Sequence, residues 1–120
     1  MAILTPTLTL SSTDGTSDTL SLSVTDSLSS ANDVIQKRIV TSTSAAVFLA
    51  ASDYGKSYLY LKNLSTTASE RIDIRATTGG TDIIQLGAEE FCFMPWAGAH
   101  DLAYDAADGT PVLEIILFEV

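Results

Sequence analysis

The 120-residue sequence has little of the chemistry on which most active sites depend. It contains one cysteine, Cys92, and one histidine, His100. These numbers exclude an intrachain disulfide and a conventional tetrahedral zinc site within one subunit. No Gly-x-Ser-x-Gly motif is present, and Gly79-Gly80 lacks the following lysine and helix of a phosphate-binding loop. We therefore expect no enzymatic activity and no cofactor.

Basic residues are scarce and confined to the middle of the chain. All six lie between Lys37 and Arg75, against 15 acidic residues, and the net charge is −9. Contacts with a nucleic acid backbone or an anionic membrane depend on Lys and Arg. We therefore expect neither as a partner and assign the charge to solubility through self-repulsion.

Long apolar runs and an export signal are also missing. The longest apolar run, residues 45–51, is far shorter than the ~20 residues that cross a bilayer. The first six residues carry no base, so no secretory signal is predicted and we expect the protein to function without export.

What the sequence does contain is alternation with a period of two. Over residues 7–11 and 19–25, Thr or Ser alternates with Leu or Val. This period places the aliphatic side chains on one face of a strand and the hydroxyls on the other. It predicts an antiparallel sheet with one wet face, starting near the N-terminus.

Strand patterns continue along the whole chain, and helix patterns are nearly absent. Turn chemistry separates them, most clearly at Gly79-Gly80, which predicts a hairpin, and at Asp108-Gly109. The fold class is therefore all-β: an antiparallel β-sandwich, jelly-roll-like, of roughly 8–9 short strands. The predicted strands lie near 3–11, 18–25, 34–42, 45–51, 57–64, 70–77, 82–87, 90–95 and 112–119, with a weaker one near 99–105.

The predicted domain organisation is an N-terminal strand or docking arm over residues 1–17 and a single β-sandwich domain over residues 18–120. The aliphatic pair Ile3 and Leu4 precedes Pro6, which disfavours pairing in the middle of a sheet. An edge strand of the same domain is the open alternative to a docking arm.

Several predicted strands carry more apolar surface than one sandwich can hide. Tyr58 and Tyr60 share one strand face, opposite two leucines, while residues 91–94 and 115–118 are apolar on both faces. Burying each large apolar side chain contributes ~1.5–3 kcal/mol, which favours association. We therefore expect an oligomer or a docking face, with these candidate interface residues: Ile3, Leu4, Tyr58, Tyr60, Phe91, Phe93, Trp96 and Phe118.

Other chemistry-bearing residues have simpler interpretations. His100 after Gly98 is expected to be a loop residue rather than a catalytic base, and the apolar surroundings of Cys92 favour a structural thiol. An alternative role for Tyr58, Tyr60 and Trp96 is to form together a platform on which a sugar stacks. Calcium ligation by Asp101, Asp105 and Asp108 also stays open, although their spacing is not that of an EF-hand loop.

Three segments, residues 58–64, 83–95 and 113–120, give the chain a family resemblance. Over residues 18–120 it resembles the small all-β structural proteins of tailed bacteriophages, including phages of marine bacteria and cyanobacteria. The resemblance implies a virion component, foremost a capsid decoration or cement protein, assembled in the host cytoplasm. It further implies a homo-oligomer, a trimer, that contacts the major capsid protein or other virion proteins.

Alternative functions follow from the same residues. The resemblance also covers a tail or fibre component, and the aromatic residues allow a carbohydrate-binding adhesion module. A small hydrolase or isomerase on a jelly roll is the remaining class, which the single histidine disfavours.

Overall fold

The computed structural model describes residues 2–15, 20–30 and 34–120, and within them every regular element is a β-strand in an antiparallel sheet. The predicted all-β class is confirmed. In the described part of the chain no helix is long and apolar enough to cross a membrane. The strands are β1 (Ala2–Leu4), β2 (Thr7–Ser12), β3 (Leu20–Thr25), β4 (Leu28–Ser30), β5 (Ile35–Val40), β6 (Ala46–Leu49), β7 (Ser57–Asn63), β8 (Ile72–Arg75), β9 (Ile84–Leu86), β10 (Phe91–Trp96), β11 (Leu102–Ala106) and β12 (Val112–Glu119).

Strands β5 to β12 form a sandwich of two four-stranded sheets. The first sheet has the order β10-β7-β12-β5 and the second has the order β6-β11-β8-β9. Consecutive strands alternate between the two sheets, except for β8 and β9, which pair directly. This strand order is that of an eight-stranded jelly roll.

The core lies between the two sheets and follows from the two-residue period of the strands. In β7, Leu59 and Leu61 point inward and are fully buried, while Tyr58 and Tyr60 point outward. In the facing sheet, β8 contributes buried isoleucines to the same cluster. The side chains that fill this layer include Leu59, Leu61, Ile72, Ile74, Leu86, Leu113, Ile115 and Leu117.

One buried polar side chain connects the two sheets. Asn63, at the end of β7, is 0% exposed. Its Nδ2 donates to the carbonyl of Leu86 in the opposite sheet at 3.0 Å and to the carbonyl of Glu70 at 2.8 Å. Its Oδ1 accepts from the backbone N–H of Ser65 at 3.0 Å. All three of these bonds satisfy groups that would otherwise be costly to bury.

The turns predicted from glycine pairs and Asp-Gly steps are in place. Strands β8 and β9, on either side of Gly79-Gly80, pair as the predicted hairpin. Gly109, before β12, has a φ of +62°, and a Cβ at this position would collide with the side chain of Glu70. The positive φ favours glycine at this position.

The first four strands lie outside the sandwich sheets, and we call them the N-terminal arm. Strand β1 pairs with β4, and β2 pairs with β3 as a hairpin. The domain boundary predicted after residue 17 falls in residues 16–19, outside the described ranges. Strand β3, on the far side of that boundary, belongs to the hairpin, and the sandwich begins with β5 at Ile35.

Candidate functional site

Four aromatic side chains come together on the outer side of the first sheet. The pairing of β10 with β7 sets Phe93 opposite Tyr60. The rings meet diagonally across the strands: Tyr58 stacks on Phe93 with centroids 5.9 Å apart and planes 12° apart, and Tyr60 contacts Phe91 at 6.2 Å. We call this set the aromatic face: Tyr58, Tyr60, Phe91 and Phe93.

The aromatic face is open to solvent on the edge strand. Phe91 is 64% exposed and Phe93 is 43% exposed. The ammonium of Lys56 lies 5.8 Å from the centre of the Tyr58 ring, within the range of a cation–π contact. Partial burial, with a smaller contribution from the negative charge of Glu114, raises the pKa of Tyr60.

The outer side of the second sheet has the opposite character. There Arg71 forms a two-pronged ion pair with Asp73, with N–O distances of 2.8 and 3.0 Å. Arg75 lies between Asp82 and Asp105 and forms ion pairs with both. The outer side of the second sheet thus carries internally paired charges, while the outer side of the first sheet carries the aromatic face beside the ion pair of Arg38 with Glu114.

The hairpin of β2 and β3 carries a second apolar surface. Its register pairs Leu8 with Val24 and Leu10 with Leu22, and between these pairs it sets Thr9 opposite Ser23. The aliphatic side chains therefore point to one side, together with Ser12, which pairs with Leu20. The hydroxyls of Thr7, Thr9 and Ser11 and of their partners point to the other side. We call the first side the aliphatic face; its members are all exposed, between 41% and 51%: Leu8, Leu10, Leu20, Leu22 and Val24.

A groove of about 430 Å³ separates the root of the hairpin from the aromatic face. The backbone N–H of Asp26 donates to the carbonyl of Pro6 at 3.2 Å and fixes the base of the hairpin beside it. The groove is mostly apolar. Its walls are Pro6, Thr7, Leu8, Val24, Asp26 and Leu28 from the arm and Tyr58, Phe91 and Phe93 from the sheet.

The other half of the arm is attached to the end of the first sheet. The Ser30 hydroxyl, at the end of β4, donates to the carbonyl of Glu119. The neighbouring Phe118 pairs with Tyr58 across the strands and so lies on the outer side, yet it is only 1% exposed. We attribute its burial to the arm, because β4 ends beside it.

The predicted interface residues therefore separate into three groups. Tyr58, Tyr60, Phe91 and Phe93 lie together on the aromatic face. Ile3 and Leu4 lie in β1, where Ile3 is exposed and Leu4 is half-buried. The structure corrects two positions: Trp96 (7% exposed) and Phe118 (1% exposed) are buried, and side chains with so little accessible surface cannot present an interface.

The aliphatic face is the part of the site that the sequence prediction missed. Its alternation of hydroxyl and aliphatic residues predicted a strand with one wet face, and the expected second face was the core. In the structure only the root of that second face borders the sandwich, where Leu8 and Val24 line the groove beside the aromatic face, and all five aliphatic side chains stay exposed.

The acidic residues considered for calcium have separate partners. Asp101 accepts from the backbone N–H of Ala51 at 2.6 Å, Asp105 pairs with Arg75, and Asp108 accepts from the Ser69 hydroxyl at 3.0 Å. Within residues 2–15, 20–30 and 34–120, no group of three or more potential metal ligands is found.

The two residues considered for catalysis lie apart from the aromatic face. His100 is exposed in the loop between β10 and β11. Cys92 points to the inner side of β10, half-buried against the core. Burial raises the pKa of the Cys92 thiol, and a hydrogen bond with the backbone of Leu61 offsets this only in part.

The raised pKa of Cys92 predicts a poorly reactive thiol. Because only the thiolate attacks, Cys92 of the native protein should react several-fold more slowly with a disulfide reagent near pH ~8 than the same protein unfolded in denaturant. The rate in the native protein should rise as the pH passes above the usual thiol range. Equal rates in the native and unfolded protein would contradict the burial seen here.

Comparison with known proteins adds no relative: no protein-family model, curated protein or solved structure matches the chain. The resemblance to phage structural proteins therefore stays an expectation from the sequence. Function has to be inferred from the aromatic and aliphatic faces and from the fold that presents them.

Proposed function

We propose that this protein is a non-enzymatic virion component that decorates or cements the capsid of a tailed bacteriophage. In this proposal it acts as a homotrimer in the virion, assembled in the host cytoplasm. Symmetric contacts between copies, and contacts with the major capsid protein, stabilise the shell by burying apolar surface across its seams.

The observation that carries this proposal is the exposed apolar surface on one side of the molecule. Phe91 and Phe93 remain largely exposed in the single chain, beside a hairpin whose whole aliphatic face is exposed. Burial of such surface is favourable by ~25 cal/mol per Å². Large exposed apolar patches are typical of interaction sites rather than of free solvent-facing surface.

The fold and the charge distribution support the same role. Eight-stranded jelly rolls occur in viral capsid proteins and in lectins, although a fold alone does not determine function. The paired charges around Arg75 on the second sheet suit a face in contact with solvent. A molecule with paired charges on one sheet and an exposed aromatic face on the other is suited to lying on a larger assembly.

Two measurements test the proposal. Light scattering of the purified protein should give about three times the 12.7 kDa chain mass. Mass spectrometry of gradient-purified phage particles whose genome encodes this chain should detect it at a copy number that scales with the capsid. A strictly monomeric protein at high micromolar concentration, or its absence from such particles, would overturn the proposal.

A carbohydrate-binding adhesion module is the second candidate, supported by the stacked and partly exposed pair Tyr58 and Phe93. Sugar recognition also needs convergent polar groups, and the groove beside these rings is mostly apolar. Because Trp96 is buried, its substitution cannot probe this function. Glycan-array binding that disappears in Phe93→Ala would instead favour the adhesion module.

A further inference from the structure

We propose that the aliphatic face of the hairpin in one copy docks on the aromatic face of a second copy of this chain. The inference rests on the proposed function, which requires contacts between subunits, and it identifies the two surfaces that make them. The contact is heterologous, since a hairpin meets a sheet, and repeating it around a symmetry axis closes a ring.

The hairpin needs a covering partner to be stable. A two-stranded hairpin is at best marginally stable in water, and packing of one face against another element is what stabilises it. Here the hydroxyl face, with pairs such as Thr9 and Ser23, suits solvent. The aliphatic face, with pairs such as Leu10 and Leu22, does not.

The chain's own sheet covers only the root of the aliphatic face. Of its five members, Leu8 and Val24 line the groove beside the aromatic face. Leu10 and Leu22 lie two residues further along their strands, ~7 Å from the root, and Leu20 lies further still. These distal side chains therefore need a surface that another molecule provides.

The exposed apolar area of the two faces is large for a surface in water. The aliphatic face, Phe91 and Phe93 together expose the equivalent of more than three whole side chains. At ~150 Å² for each large apolar side chain, this amounts to ~500 Å². In a ring each contact joins one aliphatic face to one aromatic face, so this apolar area is about a third of the ~1,600 Å² that a standard interface buries in total, and it has the size of a functional apolar patch.

Local charge also favours a second copy as the occupant. Between residues 2 and 30 the chain carries acids, including Asp14 next to the hairpin turn, and no base. Lys56 borders the aromatic face beside Tyr58 and forms no ion pair within the part of the chain described, whereas Lys62 has Glu114 directly opposite it in the neighbouring strand. The ammonium of Lys56 is therefore the group that the acidic hairpin of a second copy can meet.

The first experiment compares the mass of hairpin variants. The double variant Leu10→Ser, Leu22→Ser should fall from the assembled mass to the 12.7 kDa of the single chain. The matched control, Thr9→Ala with Ser23→Ala, changes the opposite face of the same hairpin and should keep the assembled mass. A cooperative thermal unfolding transition in both variants would show that the sandwich itself is intact, with a lower midpoint in the dissociated double variant because assembly stabilises the folded state.

The second experiment locates the contact. In a Cys92→Ala background, Leu10→Cys is placed in one protein and Phe93→Cys in another, so that a disulfide between them can form only between copies. Mixing under oxidising conditions should give the mixed crosslink, and a Thr9→Cys partner should give much less of it. Absence of a mixed crosslink, or equal crosslinking from position 9, would overturn the docking geometry.

The two experiments separate this inference from the proposed function. If the wild-type protein is a trimer but the Leu10→Ser, Leu22→Ser variant keeps its mass, the docking surfaces are wrong and assembly through other surfaces stands. If the wild-type protein is a monomer, both proposals fail. Loss of assembly in the hairpin variant together with the mixed crosslink supports both.

Discussion

Leu59→Asp is expected to prevent folding of the sandwich, leaving no cooperative thermal transition and little soluble protein. Leu59 is fully buried in β7, the second strand of its sheet, and its cross-strand neighbours are Leu117 and Met94. None of these residues can pair with a carboxylate. A buried, unpaired charge costs more than ~4–5 kcal/mol, which is comparable to the total stability of a small domain.

The matched control is Val40→Asp, the same kind of substitution on the edge strand β5. Val40 is 68% exposed on the outer side, so its variant should lose less than ~1 kcal/mol. Leu59→Ala, which leaves a cavity but no charge, should still fold, with a loss of ~2–5 kcal/mol. A Leu59→Asp protein that unfolds at the wild-type temperature would show that β7 does not lie in the core.

Ile115→Asp provides an informative comparison with Leu59→Asp. Ile115 is equally buried, but its cross-strand partner in β5 is Lys37, which is half-buried on the same side of the sheet. A carboxylate at position 115 would therefore have a cation within reach, which offsets part of the burial cost. We expect Ile115→Asp to be severely destabilised but less so than Leu59→Asp.

In strands with alternating side chains, the inner and outer sides could be predicted from the sequence because the strand period is fixed by backbone geometry. The alternation of Tyr58 with Leu59 correctly separated the outer side of β7 from the core. The apolar outer side of residues 91–94 was likewise predicted, and Phe91 and Phe93 lie there. Covalent geometry transmits such information locally, so no distant contact was needed to predict it.

Trp96 was predicted to be an interface residue, and the structure shows why it is buried instead. The strand was predicted near residues 90–95, which leaves Trp96 just outside it. In the structure β10 is an edge strand and continues to Trp96. The same alternation that directs Cys92 and Met94 inward then directs Trp96 into the core.

The surroundings of the arm could not be predicted in this way. The alternation in residues 7–11 and 19–25 specified a hairpin strand with two unlike faces, but not which surface the aliphatic face would meet. Phe118 lies on the outer side as its position in β12 requires, and we attribute its burial to the distant β4, whose Ser30 hydroxyl donates to the carbonyl of the neighbouring Glu119. Such contacts depend on how separate elements pack, which a local pattern does not encode.

Asn63→Asp should lower the free energy of unfolding by ~3 kcal/mol or more at neutral pH. Asn63 was not singled out from the sequence, because its role depends on the carbonyls of Leu86 and Glu70, which other segments supply. A carboxylate of the same shape cannot donate to these two carbonyls. It therefore buries a negative charge against two acceptors, and each unsatisfied group costs ~1–3 kcal/mol.

The pH dependence of this loss distinguishes a buried acid from general damage. Burial and the facing carbonyls raise the pKa of the new carboxyl above the ~3.9 of an unfolded aspartate. The loss should be largest at neutral pH and shrink as the pH falls towards ~4, because the protonated acid is neutral and can donate one hydrogen bond. Urea unfolding at several pH values, with the exposed Gln36→Glu as control, measures this difference. An equal, pH-independent loss in the two variants would contradict the role assigned to Asn63.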